Sequence, residues 1–227
     1  MEDHKFLIPS SIILAGVIIA AAVLYVRMPI VEKVAAPVGA SLAQQNVGRD
    51  AFKIRSDDFV LGNPTAKVVL IEYGDFQCPF CGRFFKTTEQ ELKETYIKEG
   101  KAALVWRDFA FLGEESFRAA EAAKCAAEHG KFWEYHDHLF NNQKGENEGA
   151  FADANLKGFA KALGLNESQF NSCFDSGKYR KAVEDESEEG RLLGVNGTPA
   201  TFVNGKLISG AQPFSVFEKA IEEKLEK

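Results

Sequence analysis

The chain has 227 residues, of which 45% are apolar and 26% are charged, ordinary proportions for a folded globular protein. This length suits one full domain with accessory segments and is short for two independent cores. The formal net charge of -6 argues against a nucleic-acid-binding function, because phosphate recognition requires clustered lysine and arginine.

The first predicted element is an uncharged apolar run at residues 6–26, which is bracketed by Lys5 and Arg27. As a helix, this run would rise about 31 Å, roughly the hydrocarbon thickness of a bilayer. It predicts a transmembrane helix within an N-terminal membrane anchor at residues 1–28. A cleaved secretory signal is the alternative, although its apolar region is usually about 7 to 15 residues long. Either interpretation exports the rest of the chain.

A linker is predicted at residues 29–55, which contain two prolines and show no hydrophobic period. The folded domain is predicted over residues 56–227. Its first clear strand is the apolar run at residues 68–71. A continuous apolar run of this kind is typical of a strand that is buried on both faces of a sheet.

The next predicted element is a helix that begins at the segment CPFC, residues 78–81. Proline suits the first helical turn because its missing N–H group needs no partner there and its φ is already helical. A second apolar run at residues 102–106 follows Gly100 and completes a strand-helix-strand unit. Such a crossover connection implies that the two strands are parallel.

Every segment from about residue 114 to residue 193 has a helical pattern, which predicts a helical insertion. The chain then returns to strand at residues 200–203 and 206–208, which are joined by Asn204-Gly205, the strongest two-residue hairpin signal. Pro213 opens a last helix with an apolar stripe. This order of elements predicts an α/β fold.

The two cysteines of the CPFC segment are typical of a redox-active disulfide, because cysteines one helical turn apart can close a small ring with little backbone movement. Cys78 is predicted at the helix N-terminus, where unpaired backbone N–H groups and the positive end of the helix dipole lower the pKa of a thiol. We therefore predict that Cys78 is the nucleophile and that Cys81 is the resolving thiol.

A zinc site is the alternative interpretation of these cysteines, and it would need two further ligands. The remaining cysteines, Cys125 and Cys173, are far apart in the chain and form no second pair of this kind. His136 and His138 are two residues apart, which places them on different faces of a helix. We therefore expect no metal and no other cofactor.

Three separated segments resemble the DsbA-like branch of the thioredoxin superfamily, especially its membrane-anchored members: IEYGDFQCPFC, AAEAAKCAAEHGKFWEYHDHLF and GVNGTPATFVNG. The resemblance runs from about Asp58 to the C-terminus and implies a thioredoxin fold with a helical insertion. It also implies that Thr198-Pro199 is a cis-proline loop that binds substrate backbone. Pro79 and Phe80 complete the expected substrate-binding residues. The strongest oxidants of the family have a histidine in this dipeptide, whereas Pro79 and Phe80 cannot donate a hydrogen bond to the thiolate, so the resemblance does not imply extreme oxidising power.

Glu72 lies within the first apolar strand and matches the buried acid that family members carry beneath the cysteines. A buried carboxyl there would have a raised pKa and could relay the proton of Cys81, which makes Glu72 a predicted catalytic residue. A solvent-exposed carboxylate at the end of the strand is the alternative. Asp75 is interpreted as part of the turn before Cys78.

Cys125 and Cys173 both fall on helical segments of the predicted insertion. In an oxidising compartment they are predicted to form a structural disulfide. The alternative is a pair of buried free thiols that pack as small hydrophobic side chains.

Together these features predict a thiol-disulfide oxidoreductase that introduces disulfides into exported proteins through Cys78 and Cys81. A reductase or isomerase of the same fold, and a redox-inactive, chaperone-like peptide-binding module, are the alternatives. The resemblance implies reduced exported proteins as substrates, and reoxidation by a quinone-linked membrane protein of the DsbB type or the vitamin K epoxide reductase type. The expected location is the cell membrane, single-pass, with the catalytic domain extracytoplasmic, that is, periplasmic or extracellular.

Overall fold

A single five-stranded sheet organises the computed structural model, which describes residues 51–226. The strands are β1 (Phe59–Gly62), β2 (Val68–Gly74), β3 (Ala102–Asp108), β4 (Ala200–Val203) and β5 (Lys206–Ser209). Their order in the sheet is β1-β3-β2-β4-β5. Strands β2 and β3 are parallel, and every other neighbouring pair is antiparallel.

The helical backbone after β2 is continuous over residues 79–97, which we call the CxxC helix. It combines α1 (Pro79–Phe84), π1 (Phe85–Glu89), α2 (Gln90–Leu92) and π2 (Lys93–Ile97). Five helices lie between β3 and β4: α3 (Glu114–Ala127), α4 (Phe132–Asn141), α5 (Asp153–Ala162), α6 (Glu167–Asp175) and α7 (Arg180–Leu192). Helix α8 (Phe214–Leu225) follows β5. The predicted α/β fold with a helical insertion is confirmed by this topology.

Strand β2 is buried on both faces, as its continuous apolar pattern predicts. Successive side chains of a strand point to opposite faces of the sheet. Leu70 packs in one core cluster with Leu92 of the CxxC helix, whereas Ile71 and Tyr73 belong to a cluster on the other face. Glu72 shares the face of Leu70 and is thereby directed toward the CxxC helix.

The helical insertion packs around α3, whose alanines lie in the interior. Small side chains let helices approach closely, and α3 contacts each of the other four helices of the insertion. The insertion core also contains Phe76, Cys78 and Cys81, so the CPFC turn lies at the junction between the insertion and the sheet.

Strand β1 was not predicted from the sequence. It has only four residues and no alternation, so nothing in FVLG distinguishes it from a loop. The strand forms through a contact between distant parts of the chain: β1 lies antiparallel to β3 at the edge of the sheet, with Phe59 opposite Trp106. The ring of Phe59 stacks on that of Phe132 at a centroid distance of 3.9 Å, which places this edge against α4.

The predicted anchor at residues 1–28 and most of the predicted linker lie outside the described residues. Within residues 51–226, no helix is long and apolar enough to cross a membrane. The last five residues of the predicted linker, 51–55, pack against the domain. The Arg107 guanidinium donates to the carbonyl of Ala51 at 2.6 Å, and the ring of Phe52 lies 4.8 Å from that of Phe202.

Candidate active site

The CPFC turn follows directly from the end of β2. The backbone N–H of Cys78 donates to the carbonyl of Asp75 at 3.0 Å, and Cys78 then stands at the N-cap of α1 with Pro79 in the first turn. This geometry agrees with the predicted start of the helix. It leaves the sulfur of Cys78 beside backbone N–H groups that have no partner within the helix.

Cys78 and Cys81 are both free thiols, and they differ in environment. A hydrogen bond from the Cys81 thiol makes the largest contribution to lowering the pKa of Cys78, which falls to about 6. Burial opposes this change, and hydrogen bonds from Thr198 and from the backbone N–H groups of Phe80 and Cys81 reinforce it. A sulfur with this pKa is about nine-tenths thiolate at pH 7.

Cys81 has the opposite character. Its side chain is fully buried, and burial raises its pKa well above 9.0. The negative charges of Cys78 and Glu72 add to this effect. Cys81 therefore remains a thiol unless a neighbouring base accepts its proton.

Alkylation of the reduced protein by iodoacetamide is expected to follow a single titration with its midpoint near pH 6, because only the Cys78 thiolate reacts in that range. In Cys81→Ala the midpoint is expected to rise, because the largest stabilising donor is gone. Cys81→Ser keeps a hydroxyl donor and is expected to raise the midpoint less. A wild-type midpoint near 9 would contradict this assignment of the reactive thiolate.

The Thr198-Pro199 segment lies beside Cys78, and its peptide bond is cis. The Cys78 thiol donates to the carbonyl of Thr198 at an S···O distance of 3.4 Å. While Cys78 is a thiol, the buried Thr198 hydroxyl oxygen has no hydrogen-bond partner among the described residues; its hydrogen bond to Cys78 forms with the thiolate. The carbonyl of Pro199 accepts from Gly210 at 2.8 Å, which ties the loop to the end of the hairpin.

Pro79 and Phe80 lie on the solvent side of the CPFC turn. Phe80 is 54% exposed, which is unusual for a large aromatic side chain. The guanidinium of Arg83 lies 5.1 Å from the centroid of its ring. The two residues between the cysteines therefore present an apolar surface next to the sulfur of Cys78.

Glu72 is buried, with 1% of its surface exposed, so the solvent-exposed alternative is wrong. Burial raises its pKa well above 4.5, and the negative charge of Glu89 raises it further. One oxygen of the Glu72 carboxyl has no hydrogen-bond partner in the described part of the chain. A negative charge on Glu72 raises the pKa of Cys81, so the protonation state of each group affects the pKa of the other.

Asp75 has a larger structural role than the predicted turn. Its carboxylate accepts from the N–H of Gln77 at 2.8 Å, which forms the turn. It also accepts from the Ser116 hydroxyl at 2.7 Å and from the N–H of Phe111 at 3.0 Å. Asp75 therefore fixes the turn before Cys78 to the start of α3 and to the loop that carries Phe111, another exposed aromatic residue.

Gln143 is a second positioning residue, and sequence reasoning missed it. Its Nε2 donates to the carbonyls of Phe76 and Cys78 at 2.8 and 2.9 Å. A Cβ at Gly82 would lie 2.2 Å from Oε1 of Gln143, so a side chain at this position would displace the Gln143 amide. No sequence signal marks Gln143, because it follows α4 in an irregular segment and its partners are backbone atoms far away in the chain.

Of the two alternatives for Cys125 and Cys173, the structure contains the disulfide, with Cα atoms 5.9 Å apart. It joins α3 to α6 within the insertion. Neither sulfur is available to join Cys78 and Cys81 as a zinc ligand. His136 is fully buried among aromatic rings, and the ring of His138 packs on Phe159.

The fold and this pair of unlike cysteines define a thiol-disulfide oxidoreductase. A family model described as Thioredoxin matches residues 55–223. The probable disulfide bond formation protein D of Bacillus cereus is 33% identical over 172 residues, which cover 74% of this chain and 78% of that relative. The chain belongs to the DsbA-like branch of the thioredoxin superfamily.

Solved structures of similar proteins agree with this membership. Oxidised BdbD from Bacillus subtilis is 25% identical and has a TM-score of 0.71, with coverage of 75% of this chain and 94% of that chain. The alpha-DsbA1 protein of Wolbachia pipientis has the same TM-score at 23% identity, with coverage of 79% and 96%, and shows the shared fold.

Proposed function

We propose that the protein is an oxidase that introduces disulfides into exported proteins. The observation that carries this proposal is the contrast between Cys78, whose pKa is about 6, and Cys81, whose pKa is raised. A stabilised thiolate favours the reduced form of the enzyme, and an enzyme that is stable when reduced is a good oxidant. The name of the Bacillus cereus relative, disulfide bond formation protein D, supports the same direction.

The reaction begins with the enzyme in its Cys78–Cys81 disulfide form. A substrate thiolate attacks the sulfur of Cys78, the S–S bond breaks, and its electron pair passes to the sulfur of Cys81. The second substrate thiolate then attacks the substrate sulfur of the mixed disulfide. Cys78 departs as a thiolate, which its low pKa makes a good leaving group. The substrate gains a disulfide, and the enzyme is left as a dithiol.

Glu72 supplies the proton that Cys81 takes up when it leaves. A buried Cys81 thiolate would be costly, and the raised pKa of Glu72 keeps a proton on the carboxyl beside it. In reoxidation the same carboxylate accepts the proton from Cys81. Glu72 thereby serves as general acid and general base in turn.

Substrate backbone binds along the Thr198-Pro199 loop. Pro79 and Phe80 contact the residues that flank the substrate cysteine, and Phe111 extends the apolar surface on the side held by Asp75. Apolar contacts of this kind suit unfolded chains, which expose hydrophobic side chains near their cysteines. A chaperone-like role without redox turnover is disfavoured because both active-site thiols are present and differ strongly in pKa.

The domain works outside the cytoplasm, anchored by the apolar run at residues 6–26, because an oxidised CxxC pair and a structural disulfide both require an oxidising compartment. Accessibility of the domain to protease added to intact spheroplasts tests this location. The reduced enzyme passes its electrons to a quinone-linked membrane protein of the DsbB type or the vitamin K epoxide reductase type.

Equilibration of the Cys78–Cys81 pair in glutathione buffers tests the oxidase direction. The expected reduction potential lies above about -270 mV, the value for thioredoxin, because the Cys78 thiolate is stabilised. It lies below about -120 mV, the value for DsbA, because Pro79 and Phe80 lack a side-chain donor. Because the pKa of Cys78 is lowered from 9.0 to about 6, its thiolate stabilises the reduced enzyme. This stabilisation is fully present above pH 9.0 and is lost as the pH falls through about 6. A potential below that of thioredoxin would assign the protein to the reductases.

A further inference from the structure

The sequence contains two Asn-Gly pairs, Asn196-Gly197 and Asn204-Gly205. Asparagine is a thermolabile residue, and a following glycine has no side chain to hinder its backbone nitrogen. That nitrogen can attack the side-chain carbonyl carbon of the asparagine. A new C–N bond forms, the bond to the amide nitrogen breaks, and ammonia leaves with the proton of the glycine N–H. Water then opens the resulting succinimide to aspartate or to isoaspartate, in which the backbone runs through the side chain.

Folding protects the amide of Asn204. Its side-chain oxygen accepts from the N–H of Val69 at 2.7 Å, and its Nδ2 donates to the carbonyl of Lys67 at 3.1 Å. Attack by the Gly205 nitrogen requires the side chain to rotate, so both hydrogen bonds must first break. This Asn-Gly pair therefore forms the hairpin turn and is held in an unreactive arrangement.

Asn196 has the opposite environment. It lies in the irregular segment between α7 and β4 and is exposed. Within residues 51–226, neither its side chain nor the N–H of Gly197 has a hydrogen bond. A Cβ built at Gly197 would meet no atom within 4 Å, so the space around the attacking nitrogen is open. No contact of the described residues therefore opposes the rotation that brings the two reacting groups together.

The Asn196-Gly197 pair lies between two fixed points of the active site. On one side, the N–H of buried Val195 donates to the carbonyl of Gly190 at 2.9 Å. On the other side, the carbonyl of Thr198 accepts from the Cys78 thiol at 3.4 Å. Two residues of chain span at most about 7 Å, so Asn196 is within that reach of Thr198. A charge or a backbone change at Asn196 is therefore introduced close to the contacts of Cys78.

We propose that Asn196-Gly197 is a site of spontaneous deamidation, and that its products destabilise the thiolate of Cys78. The new carboxylate repels a thiolate through their like charges. The isoaspartate product also adds one backbone atom between Val195 and Thr198, which disturbs the placement of Thr198 beside Cys78. The reaction consumes water, releases ammonia and changes no oxidation state. It does not depend on the direction of thiol-disulfide exchange.

Peptide mass mapping of protein incubated in warm, mildly alkaline buffer tests the reaction itself. In the folded, oxidised protein, Asn196 is expected to deamidate at least about tenfold faster than Asn204, because only Asn204 must first break two hydrogen bonds. The same incubation in urea is the control and is expected to remove most of this difference, because unfolding frees both amides. Equal rates in the folded protein, or a faster reaction at Asn204, would overturn the proposal.

The pH dependence of Cys78 alkylation by iodoacetamide tests the consequence. Asn196→Asp supplies the charge without ageing and is expected to raise the midpoint by about 0.3 pH unit at low salt, the effect of a charge about 10 Å away in water. Added salt should reduce this shift. Aged wild-type protein, reduced before the assay, is expected to shift in the same direction as its deamidated fraction grows.

Asn196→Gln is the matched control, because its longer side chain would have to close a larger, less favourable ring. Its alkylation midpoint is expected to stay constant through the same incubation. Unshifted midpoints in both Asn196→Asp and aged wild-type protein would overturn the proposed effect on Cys78. A midpoint near 9 in fresh wild-type protein would instead contradict the reactive thiolate of the proposed function, whatever the state of Asn196.

Discussion

Cys78→Ser is expected to abolish oxidation of a reduced, unfolded test protein and to leave no covalent adduct. The sulfur that forms the mixed disulfide is then gone, and Cys81 cannot replace it because burial keeps it a thiol. The measurement is recovery of activity by a reduced disulfide-containing enzyme, together with non-reducing gels of the reaction mixture.

Cys81→Ala is the complementary variant and is expected to accumulate adducts. A lone Cys78 that has entered a mixed disulfide has no neighbour to release it, so complexes should appear on non-reducing gels and vanish with dithiothreitol. Adducts formed through Cys81 in the Cys78→Ser protein, or full turnover of that protein, would overturn the assignment of the nucleophile.

The sequence predicts the parts of this site whose signals are local. The CPFC segment after an apolar strand indicates both the helix N-terminus and the redox pair, and Asn204-Gly205 indicates the hairpin that follows the Pro199 loop. Each signal lies within a few residues, because turn geometry and burial on both faces of a strand restrict residue types locally. These elements therefore appear in the structure at the predicted positions.

The remaining parts depend on contacts between distant segments. Strand β1 exists because β3 offers an unpaired edge, and four residues carry no periodicity of their own. Gln143 is recognisable only after folding brings its amide to the carbonyls of Phe76 and Cys78. Glu89 resembles any other acid on a charged helix until the structure shows that it is fully buried beside Lys93.

Removal of the Cys125–Cys173 disulfide is expected to have a large effect on stability. The bond closes a loop with a sequence separation of 48 residues and joins α3 to α6. On the chain-entropy relation, a loop of this length stabilises the folded state by about 4 kcal/mol, because it restricts the unfolded chain. Such a loss is a large part of the roughly 5 to 15 kcal/mol that stabilises a typical domain.

The double variant Cys125→Ala/Cys173→Ala, measured by urea unfolding, is expected to lose about 4 kcal/mol of unfolding free energy relative to the wild-type protein. The pH dependence of Cys78 alkylation by iodoacetamide should be unchanged in the variant under native conditions, because the disulfide lies in the insertion and supplies no group to Cys78 or Cys81. Structural disulfides also resist reduction more than catalytic ones, so mild reductant should open Cys78–Cys81 first. An unchanged unfolding free energy would refute the structural role of this bond. Mass mapping that finds Cys125 and Cys173 free in protein purified from the exported fraction would refute it as well.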